Sequence, residues 1–228
     1  GFPPAMRPLT EVFESKAGHF VLVEALVRRV LDAAERCFAE LGFDAVSIRR
    51  IAREAEVTLG VVGFHGGTKQ ELFVTVLKRR VETLNAMRMA RLDALKSTER
   101  LTLETLIDAY VTPYLEIASR GDPQWRAYAQ LVARIMSDER YYREAGPLYD
   151  RVASIYLDEM ARLRPDADRE QLAAVLSLTV SSMVSIVASG IRIAGLSQSD
   201  RRESPMVYRP LLLDFCVGGV LRALEPKC

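Results

Sequence analysis

Apolar residues recur at intervals of three and four positions along most of the chain, with charged residues between them. This period is typical of α-helices with one buried face, and the alternation typical of strands is absent. We therefore predict an all-α protein of about nine helices. The first predicted helix spans about Val21 to Leu41 and ends at Gly42, and its apolar stripe consists of Val27, Val30, Leu31, Ala34, Phe38 and Leu41.

The stretch from Ser47 to Leu72 predicts two very short helices and the start of a third. Ser47 is a favourable N-cap for the first helix, and Thr58 is one for the second, which runs from Leu59 to His65. Two short helices joined by a tight turn form a helix-turn-helix unit, whose second helix enters the major groove of DNA. This stretch therefore predicts a DNA-binding head.

A long helix is predicted from Thr68 to about Leu95. Lys69 lies in its first turn, where the helix dipole favours anions, so a nearby phosphate would explain this cation. No linker rich in proline or glycine follows, so we expect one continuous helix to join the head to the rest of the chain. Its predicted buried face consists of Leu72, Phe73, Val76, Leu77, Val81 and Leu84.

Two runs in this region resemble the N-terminal domain of the TetR family of transcriptional regulators, namely VLDAAERCFAELGFDAVSIRRIAREAEV and TLGVVGFHGGTKQEL. The resemblance implies a three-helix DNA-binding head, a variable helical ligand-binding body and a homodimer on a palindromic operator. The matching positions are Ala33, Ala34, Phe38, Gly42, Phe43, Ser47, Ile51, Ala52, Ala55, Val57, Thr58, His65, Thr68, Lys69 and Leu72.

Two glycines depart from the resembled family, which usually has an aromatic residue at position 63 and a phenylalanine at position 66. Gly63 costs about 1 kcal/mol relative to alanine in a helix interior. Gly66 removes an aromatic anchor whose truncation typically costs about 3 to 5 kcal/mol. We expect a loose or reshaped recognition helix, with Phe64 as the nearby aromatic able to replace the missing anchor.

The resemblance and the helix-turn-helix pattern together predict which residues contact DNA. Direct specificity should be limited, because the groove-facing residues include few side chains able to form bidentate hydrogen bonds with a base. The predicted phosphate contacts are Ser47, Arg50, Thr58, Thr68 and Lys69. The predicted groove-facing residues are Leu59, Gly60, Val61, Gly63, Phe64 and His65.

The chain is predicted to have a mobile N-terminal arm over residues 1–20, a helix-turn-helix domain over 21–80, and a ligand-binding and dimerisation domain over 81–228. The body is expected to be helical throughout. Its first three helices are predicted over Glu99–Ser119, with a kink at Pro113, over Pro123–Met136, capped by Asp122, and over Asp138–Arg164, with an interruption near Gly146 and Pro147.

Aromatic and sulfur-containing residues concentrate in these body helices. They can form an ordinary core, or they can line a pocket, because tyrosine and tryptophan offer a ligand both apolar surface and a polar tip. We predict a pocket for a small, mostly apolar effector. Its predicted lining residues are Tyr110, Tyr114, Tyr128, Met136, Tyr149 and Met183.

The last two predicted helices span Gln171 to Ile191 and Pro205 to Leu224. The first has no charge over 21 positions, which is enough to cross a bilayer, but its serines favour a buried helix over a membrane span. These two helices either complete the core of one subunit or pair with a second subunit, as the resemblance implies. Ser177, Ser181 and Ser185, with Gly218 and Gly219, are the small residues expected at close helix contacts.

Composition adds little to this interpretation. The 228 residues carry a net charge of +1, and residues 25–80 contain ten Lys or Arg against seven Asp or Glu, an excess that ordinary solvated helix faces also explain. Three cysteines without CxxC spacing predict neither a disulfide framework nor a zinc site, and they favour a reducing cytoplasm. We expect no metal and no cofactor.

Sequence patterns of known enzymes are not matched. The glycines before Lys69 have the order Gly-Thr-Lys instead of the phosphate-loop order, only His19 and His65 are present, and the GxSxG motif is absent. We therefore predict a ligand-responsive DNA-binding regulator, most often a repressor in the resembled family, and not an enzyme. Two alternatives stay open: a ligand-binding or partner-binding dimer that has lost operator recognition through Gly63 and Gly66, and an enzyme that uses the pocket.

Overall fold

The protein is described from a computed structural model that covers residues 16–136 and 139–225. Within these residues the chain forms ten α-helices, one 3-10 helix and no strands, which confirms the all-α prediction. The first four helices are α1 (Lys16–Leu41), α2 (Ile48–Glu54), α3 (Leu59–Gly66) and α4 (Lys69–Ser97). The others are α5 (Leu103–Ser119), α6 (Pro123–Ile135), α7 (Glu139–Leu163), α8 (Arg169–Ala188), α9 (Gly190–Leu196), the 3-10 helix Pro205–Tyr208 and α10 (Arg209–Ala223).

The predicted helix boundaries are wrong in four places. Helix α5 begins at Leu103 instead of about Glu99. Residues 16–20, assigned to the arm, already belong to α1, and the rest of the predicted arm lies outside the described residues. Helix α7 continues through Pro147 without the predicted interruption, and the Asn85 side chain donates a 3.2 Å hydrogen bond to the carbonyl of Leu148, the next residue. The predicted helix ending at Ile191 stops at Ala188, so that α9 is a separate short helix.

The chain forms two compact units, which divide between Val76 and Leu77. The core of the first unit contains a cluster of three phenylalanines, in which the Phe73 ring lies 5.1 Å from both the Phe38 and the Phe43 ring. Helix α4 supplies Phe73 to this core and continues into the second unit.

The second unit is built around α5, in which eleven of seventeen residues are buried. The helix starts at a capping box formed by Thr102 and Thr105, and it packs against α6, α8 and α10. Arg209 of α10 donates two 2.7 Å hydrogen bonds to the carboxylate of Asp108 and a 2.8 Å bond to the Thr112 hydroxyl. Pro113 therefore lies inside a helix that is held on several sides.

The two cysteines within the described residues, Cys37 and Cys216, are buried and free. Burial is the main factor that raises the pKa of both thiols. Both residues therefore act as small apolar side chains in their cores. Cys228 lies outside the described residues.

Candidate nucleic-acid interface and effector cavity

The turn between α2 and α3 has the geometry of a helix-turn-helix unit. The Ser47 hydroxyl accepts a 3.2 Å hydrogen bond from the amide of Arg50 at the start of α2, as its N-cap position predicts. The chain then leaves α2 at Ala55 and turns through Glu56, whose φ of 54° lies in the left-handed region. Thr58 is extended and stands at the N-cap position of α3, but its side chain makes no capping hydrogen bond.

Arg29 of α1 holds this turn in place. Its guanidinium donates to the carbonyl oxygens of Ala55 and Glu56, at 2.7 and 3.2 Å, and to the Glu56 carboxylate at 3.4 Å. These bonds satisfy carbonyl groups at the end of α2 that have no partner within the helix. A residue that supports the turn therefore comes from a different helix, 26 positions earlier in the chain.

Helix α3 buries only one of its side chains. Val62 is its only buried residue, whereas Leu59 is 48% exposed and Phe64 is 85% exposed. A Cβ atom added at Gly63 would meet nothing within 4 Å. The exposed surface of α3 is therefore apolar and partly bare backbone, and a binding partner can approach it closely.

The structure shows that Phe64 does not replace the missing anchor at position 66. Its ring is exposed and contacts only that of His65, at a centroid distance of 4.9 Å, among the described aromatic pairs. The space beside Gly66 is instead occupied by Leu72, because a Cβ atom at Gly66 would lie 3.2 Å from the Leu72 Cδ1 atom. The prediction of Phe64 as a core anchor is wrong, since a leucine of α4 fills this position.

Lys69 has protein partners for its charge. Its ammonium donates to the carbonyls of Phe43 and Val46, at 2.9 and 3.0 Å, and lies 4.4 Å from the centre of the Phe43 ring. These contacts explain a cation in the first turn of α4 without a phosphate. A third ammonium hydrogen stays available, so a DNA contact by Lys69 remains a prediction.

A capping box starts α4. The Glu71 amide donates to the Thr68 hydroxyl at 3.2 Å, and the Thr68 amide donates to the Glu71 carboxylate at 2.8 Å. The backbone bond from Thr68, followed by the bond from its side chain, lowers the pKa of Glu71. The charged carboxylate of Glu71 therefore lies beside one of the residues predicted to contact phosphate.

The predicted DNA-contacting residues all belong to the first compact unit, and none of them is buried. Arg50 is partly engaged, with its guanidinium 4.0 Å from the Glu40 carboxylate. The exposed members are Ser47, Thr58, Leu59, Gly60, Gly63, Phe64 and Thr68, and the half-buried members are Arg50, Val61, His65 and Lys69.

The second unit contains a cavity of about 760 Å³ between α4, α5, α6, α7 and α8. A cavity of this size can enclose a drug-sized ligand. Five of the six predicted lining residues do line it, namely Tyr110, Tyr114, Met136, Tyr149 and Met183. The sixth, Tyr128, does not line the cavity, and its hydroxyl lies 2.9 Å from that of Tyr149.

The buried tyrosine hydroxyls around this cavity stay protonated at neutral pH. Burial raises the pKa of Tyr114, Tyr128 and Tyr149, and the positive charge of Arg88 opposes part of that rise. Tyr114 donates its proton to the Ala129 carbonyl at 2.9 Å. In the pair formed by Tyr128 and Tyr149 only one proton can lie between the two oxygens, so the Tyr149 proton is available to a ligand when Tyr128 is the donor.

Arg88 is a charged residue of the cavity wall that the sequence-based prediction of the lining did not include. It is 2% exposed, its Nε donates to the Tyr110 carbonyl at 2.9 Å, and its guanidinium carbon lies 3.8 Å from the centre of the Tyr110 ring. Its position was readable from spacing, because residues 81, 84, 88 and 92 lie on one helical face and the other three are Val81, Leu84 and Leu92.

No cluster of three or more His, Cys, Asp or Glu side chains suitable for a metal ion occurs in the described part of the chain. The site therefore consists of an exposed helix-turn-helix unit in one compact unit and an aromatic cavity with a buried arginine in the other.

Comparison with known proteins identifies the same two parts. The family model described as bacterial regulatory proteins, tetR family, matches residues 30–76. The model described as tetracyclin repressor-like, C-terminal domain, matches residues 108–219. These two matches fall on the helix-turn-helix unit and on the helices that surround most of the cavity.

The chain is also similar to curated repressors over most of their length. It is 31% identical over 174 residues to the HTH-type transcriptional repressor Rv1474c of Mycobacterium tuberculosis, covering 68% of this chain and 91% of that protein. It is 23% identical over 178 residues to the HTH-type transcriptional repressor AcnR of Corynebacterium glutamicum, covering 75% of this chain and 86% of that protein.

Among solved structures, the fold resembles the fatty acid degradation regulator FadR from Bacillus halodurans, with a TM-score of 0.60 and 12% identity over 85% of this chain and 95% of that one. FadR from Bacillus subtilis, solved in complex with stearoyl-CoA, has a TM-score of 0.57 and 15% identity over 84% of this chain and 98% of that one. At these identities the likeness concerns the fold alone. The chain belongs to the TetR family and is a DNA-binding transcriptional regulator, not an enzyme.

Proposed function

We propose that this regulator is a homodimeric repressor, which binds a palindromic operator through α2 and α3 and is released when an effector enters the cavity of the second unit. The observation that carries the proposal is the exposure of α3, on which only Val62 is used for packing. Leu59 and Phe64 are both exposed on this eight-residue helix, and grouped exposed apolar side chains mark interaction surfaces.

The proposed DNA contacts are those predicted from the sequence. The Thr58 hydroxyl, which makes no capping bond, is available to a phosphate, and so is the remaining hydrogen of Lys69. Leu59 and Phe64 offer apolar contacts suited to thymine methyl groups, and Gly60 and Gly63 let the backbone of α3 approach the bases. Specificity would then depend on close fit and methyl contacts more than on bidentate hydrogen bonds.

The packing around Gly63 and Gly66 does not support the alternative that these glycines have abolished operator recognition. Gly63 faces open space, so an absent side chain leaves no hole there. Leu72 packs directly beside Gly66. Neither glycine therefore removes a core contact that is left unfilled.

The proposed dimer interface consists of exposed apolar residues of α8 and α10. Helix α8 is long and apolar enough to cross a membrane by length and composition, but only 39% of its apolar window is buried in the chain. Helix α10 exposes Phe215, and side chains added at Gly218 and Gly219 would meet nothing within 4 Å. A second subunit would cover both faces in a closed two-fold dimer.

The proposed switch acts through α4. This helix supplies Leu72 and Phe73 to the core of the first unit, and it supplies Leu84 and Arg88 to the cavity wall of the second. An effector that shifts the cavity end of α4 would therefore alter the head. Coupling between two binding sites is reciprocal, so operator DNA must weaken effector binding by the same factor.

Operator binding is tested by fluorescence anisotropy of the full-length protein with labelled DNA from upstream of its own gene and with a random duplex, across a salt series. We expect tight binding to the native fragment that weakens steeply with salt, and much weaker binding to the random duplex. Equally weak binding of both duplexes at low salt would contradict the proposal.

The dimer is tested separately by measuring the molar mass in solution by light scattering. We expect Phe215→Glu to produce monomers, because a charge would be buried at the proposed interface. Phe20→Glu changes another exposed phenylalanine, on α1, and serves as the matched control that should stay dimeric. A wild-type protein that is monomeric at micromolar concentration would refute the interface.

A further inference from the structure

Arg88 is a buried cation without a buried anion. Its guanidinium forms no ion pair with any described residue, whereas Glu116 of the second unit pairs with Arg91, and Glu159 pairs with Lys96 and Arg162. Arginine stays charged in proteins, and a buried charge is normally compensated by a partner. The missing partner of Arg88 therefore requires an explanation.

The existing contacts of Arg88 leave one edge of the guanidinium available. Its Nε is occupied by the Tyr110 carbonyl, and one face rests on the Tyr110 ring. The contact of Nη2 is with the Met183 sulfur at 3.9 Å, a weak acceptor, and Nη1 has no hydrogen-bond partner among the described residues. The two terminal nitrogens form the fork that binds carboxylates and phosphates in a bidentate manner.

The arginine is also held in a fixed orientation. The Tyr156 hydroxyl donates a 2.8 Å hydrogen bond to the backbone carbonyl of Arg88, and the Tyr156 ring packs edge-on against Tyr110 at 4.9 Å. Tyr110 in turn supplies both the carbonyl and the ring that contact the guanidinium. A flexible surface arginine has no such support, so this one is prepared for a ligand in a defined direction.

The cavity that Arg88 lines is otherwise mainly apolar and aromatic. One carboxylate, that of Asp150, also lines it, but Asp150 forms no ion pair with Arg88. Further polar groups include the hydroxyls of Tyr149, Ser154, Ser177 and Ser181. The chemistry of the lining therefore suits a molecule with one anionic group and an apolar remainder.

We propose that the effector is an organic anion, whose carboxylate or phosphate binds the terminal nitrogens of Arg88 and whose apolar part fills the aromatic cavity. This inference deepens the proposed function and rests on the effector response proposed there. It also changes the expectation from the sequence, which was a mostly apolar effector. When Tyr128 donates to Tyr149, the Tyr149 hydroxyl is a second donor within the same cavity.

The inference is tested by thermal unfolding of the full-length protein with matched pairs of probes. The acids are butyrate, octanoate and 4-phenylbutyrate, each compared with its uncharged primary amide, and phenyl phosphate is compared with phenol. We expect at least one acid of the panel to raise the Tm and to bind at least tenfold more tightly than its uncharged counterpart. If phenyl phosphate is the only probe that shows this preference, the anionic group of the effector is a phosphate. If a carboxylate shows it, the anionic group is a carboxylate.

Variants of Arg88 show whether the charge preference depends on this residue. We expect Arg88→Met to bind acid and amide equally, and Arg88→Lys to restore part of the preference for the acid. Arg91→Met is the matched control, because Arg91 lies on the same helix, pairs with Glu116 at 2.6 Å and does not line the cavity. It should keep the full preference.

A panel in which no acid exceeds its uncharged counterpart would overturn the inference, and so would an Arg88→Met protein that keeps the preference. Circular dichroism shows whether each variant is folded before it is compared. Operator binding of the wild-type protein is measured separately without any probe. An absence of operator binding would refute the proposed repressor function, whereas the comparison of acids with amides tests only the role of Arg88.

Discussion

The first unit exposes apolar side chains, and the second unit buries a charged one. Helix α3 in the first unit exposes Leu59 and Phe64 and buries only Val62, whereas the cavity of the second unit buries Arg88 among aromatic rings. A buried cation without a carboxylate partner is unusual, and exposed apolar side chains grouped on one short helix mark an interaction surface. Both features occur where a binding partner, and not the chain itself, is expected to cover the apolar side chains or to compensate the charge.

Other cations of the two units have partners within the chain. In the first unit Arg29 and Lys69 donate to backbone carbonyls, so these cations serve the fold. In the second unit Arg91 and Arg209 have carboxylate partners. Arg88 differs from all of these, because no described carboxylate compensates its charge.

The largest expected effect separates two phenylalanines of the first unit. Phe38→Ala removes a fully buried ring that packs 5.1 Å from Phe73, and we expect it to lower the free energy of unfolding by about 3 to 5 kcal/mol. Phe64→Ala changes the same residue type on the exposed surface and should alter stability by less than about 0.5 kcal/mol. Urea unfolding of both variants measures the two free energies of unfolding. Equal losses would show that Phe64 contributes to the core as much as Phe38.

The next effect concerns the buried hydroxyls of the second unit. Burial raises the pKa of Tyr114, so above the unfolded value near pH 10 the unfolded chain loses a proton that the folded chain keeps. The contribution of such a tyrosine to the free energy of unfolding is therefore fully present below about pH 10. Above that pH it decreases, with a slope that approaches about 1.4 kcal/mol per pH unit.

Tyr114→Phe isolates one of these groups. At pH 7 the variant loses the hydrogen bond to the Ala129 carbonyl, at a cost of about 1 kcal/mol. Between pH 10 and pH 11 the variant should lose about 1 kcal/mol less stability than the wild type, because the unfolded tyrosine is only partly ionised at pH 10. Parallel urea-unfolding curves for the two proteins across this range would show that Tyr114 ionises normally.

A smaller effect tests the exposed surface of α3 directly. We expect Phe64→Ala to weaken binding to the native upstream fragment about tenfold, or about 1.4 kcal/mol, while non-specific binding changes little. Anisotropy with both duplexes measures the two affinities. Phe20→Ala, another exposed phenylalanine, is the control, and an equal loss for both variants would remove Phe64 from the interface.

The smallest effect concerns the turn before α3. Glu56 adopts a left-handed conformation that glycine accepts more readily, and its carbonyl bond to Arg29 does not depend on the side chain. We expect Glu56→Gly to raise the free energy of unfolding by about 0.5 to 1 kcal/mol, after a small loss from the 3.4 Å ion pair. A destabilised variant in urea unfolding would show that the ion pair outweighs the backbone strain.

Local patterns in the sequence were sufficient for the helices and their starts. Ser47 caps α2 and Asp122 caps α6 as predicted, because a capping bond links residues only two or three positions apart. The helical period also placed Phe38, Ile51, Leu72 and Phe73 in a core. Prolines were less reliable guides, since α7 continues through Pro147 where the sequence predicted an interruption.

Sequence patterns thus predicted the helical fold, the helix-turn-helix unit and five of the 21 residues that line the cavity, because helices and their caps depend on neighbours within one or two turns. Contacts between distant residues emerged from the folded structure alone, namely which residue fills the space beside Gly66, which carbonyls bind Lys69, and that Arg88 lacks a carboxylate partner. Each of these facts joins residues that are distant in the chain, or records that no distant residue arrives. Helical periodicity carries no information on such pairings, since it describes one helix at a time.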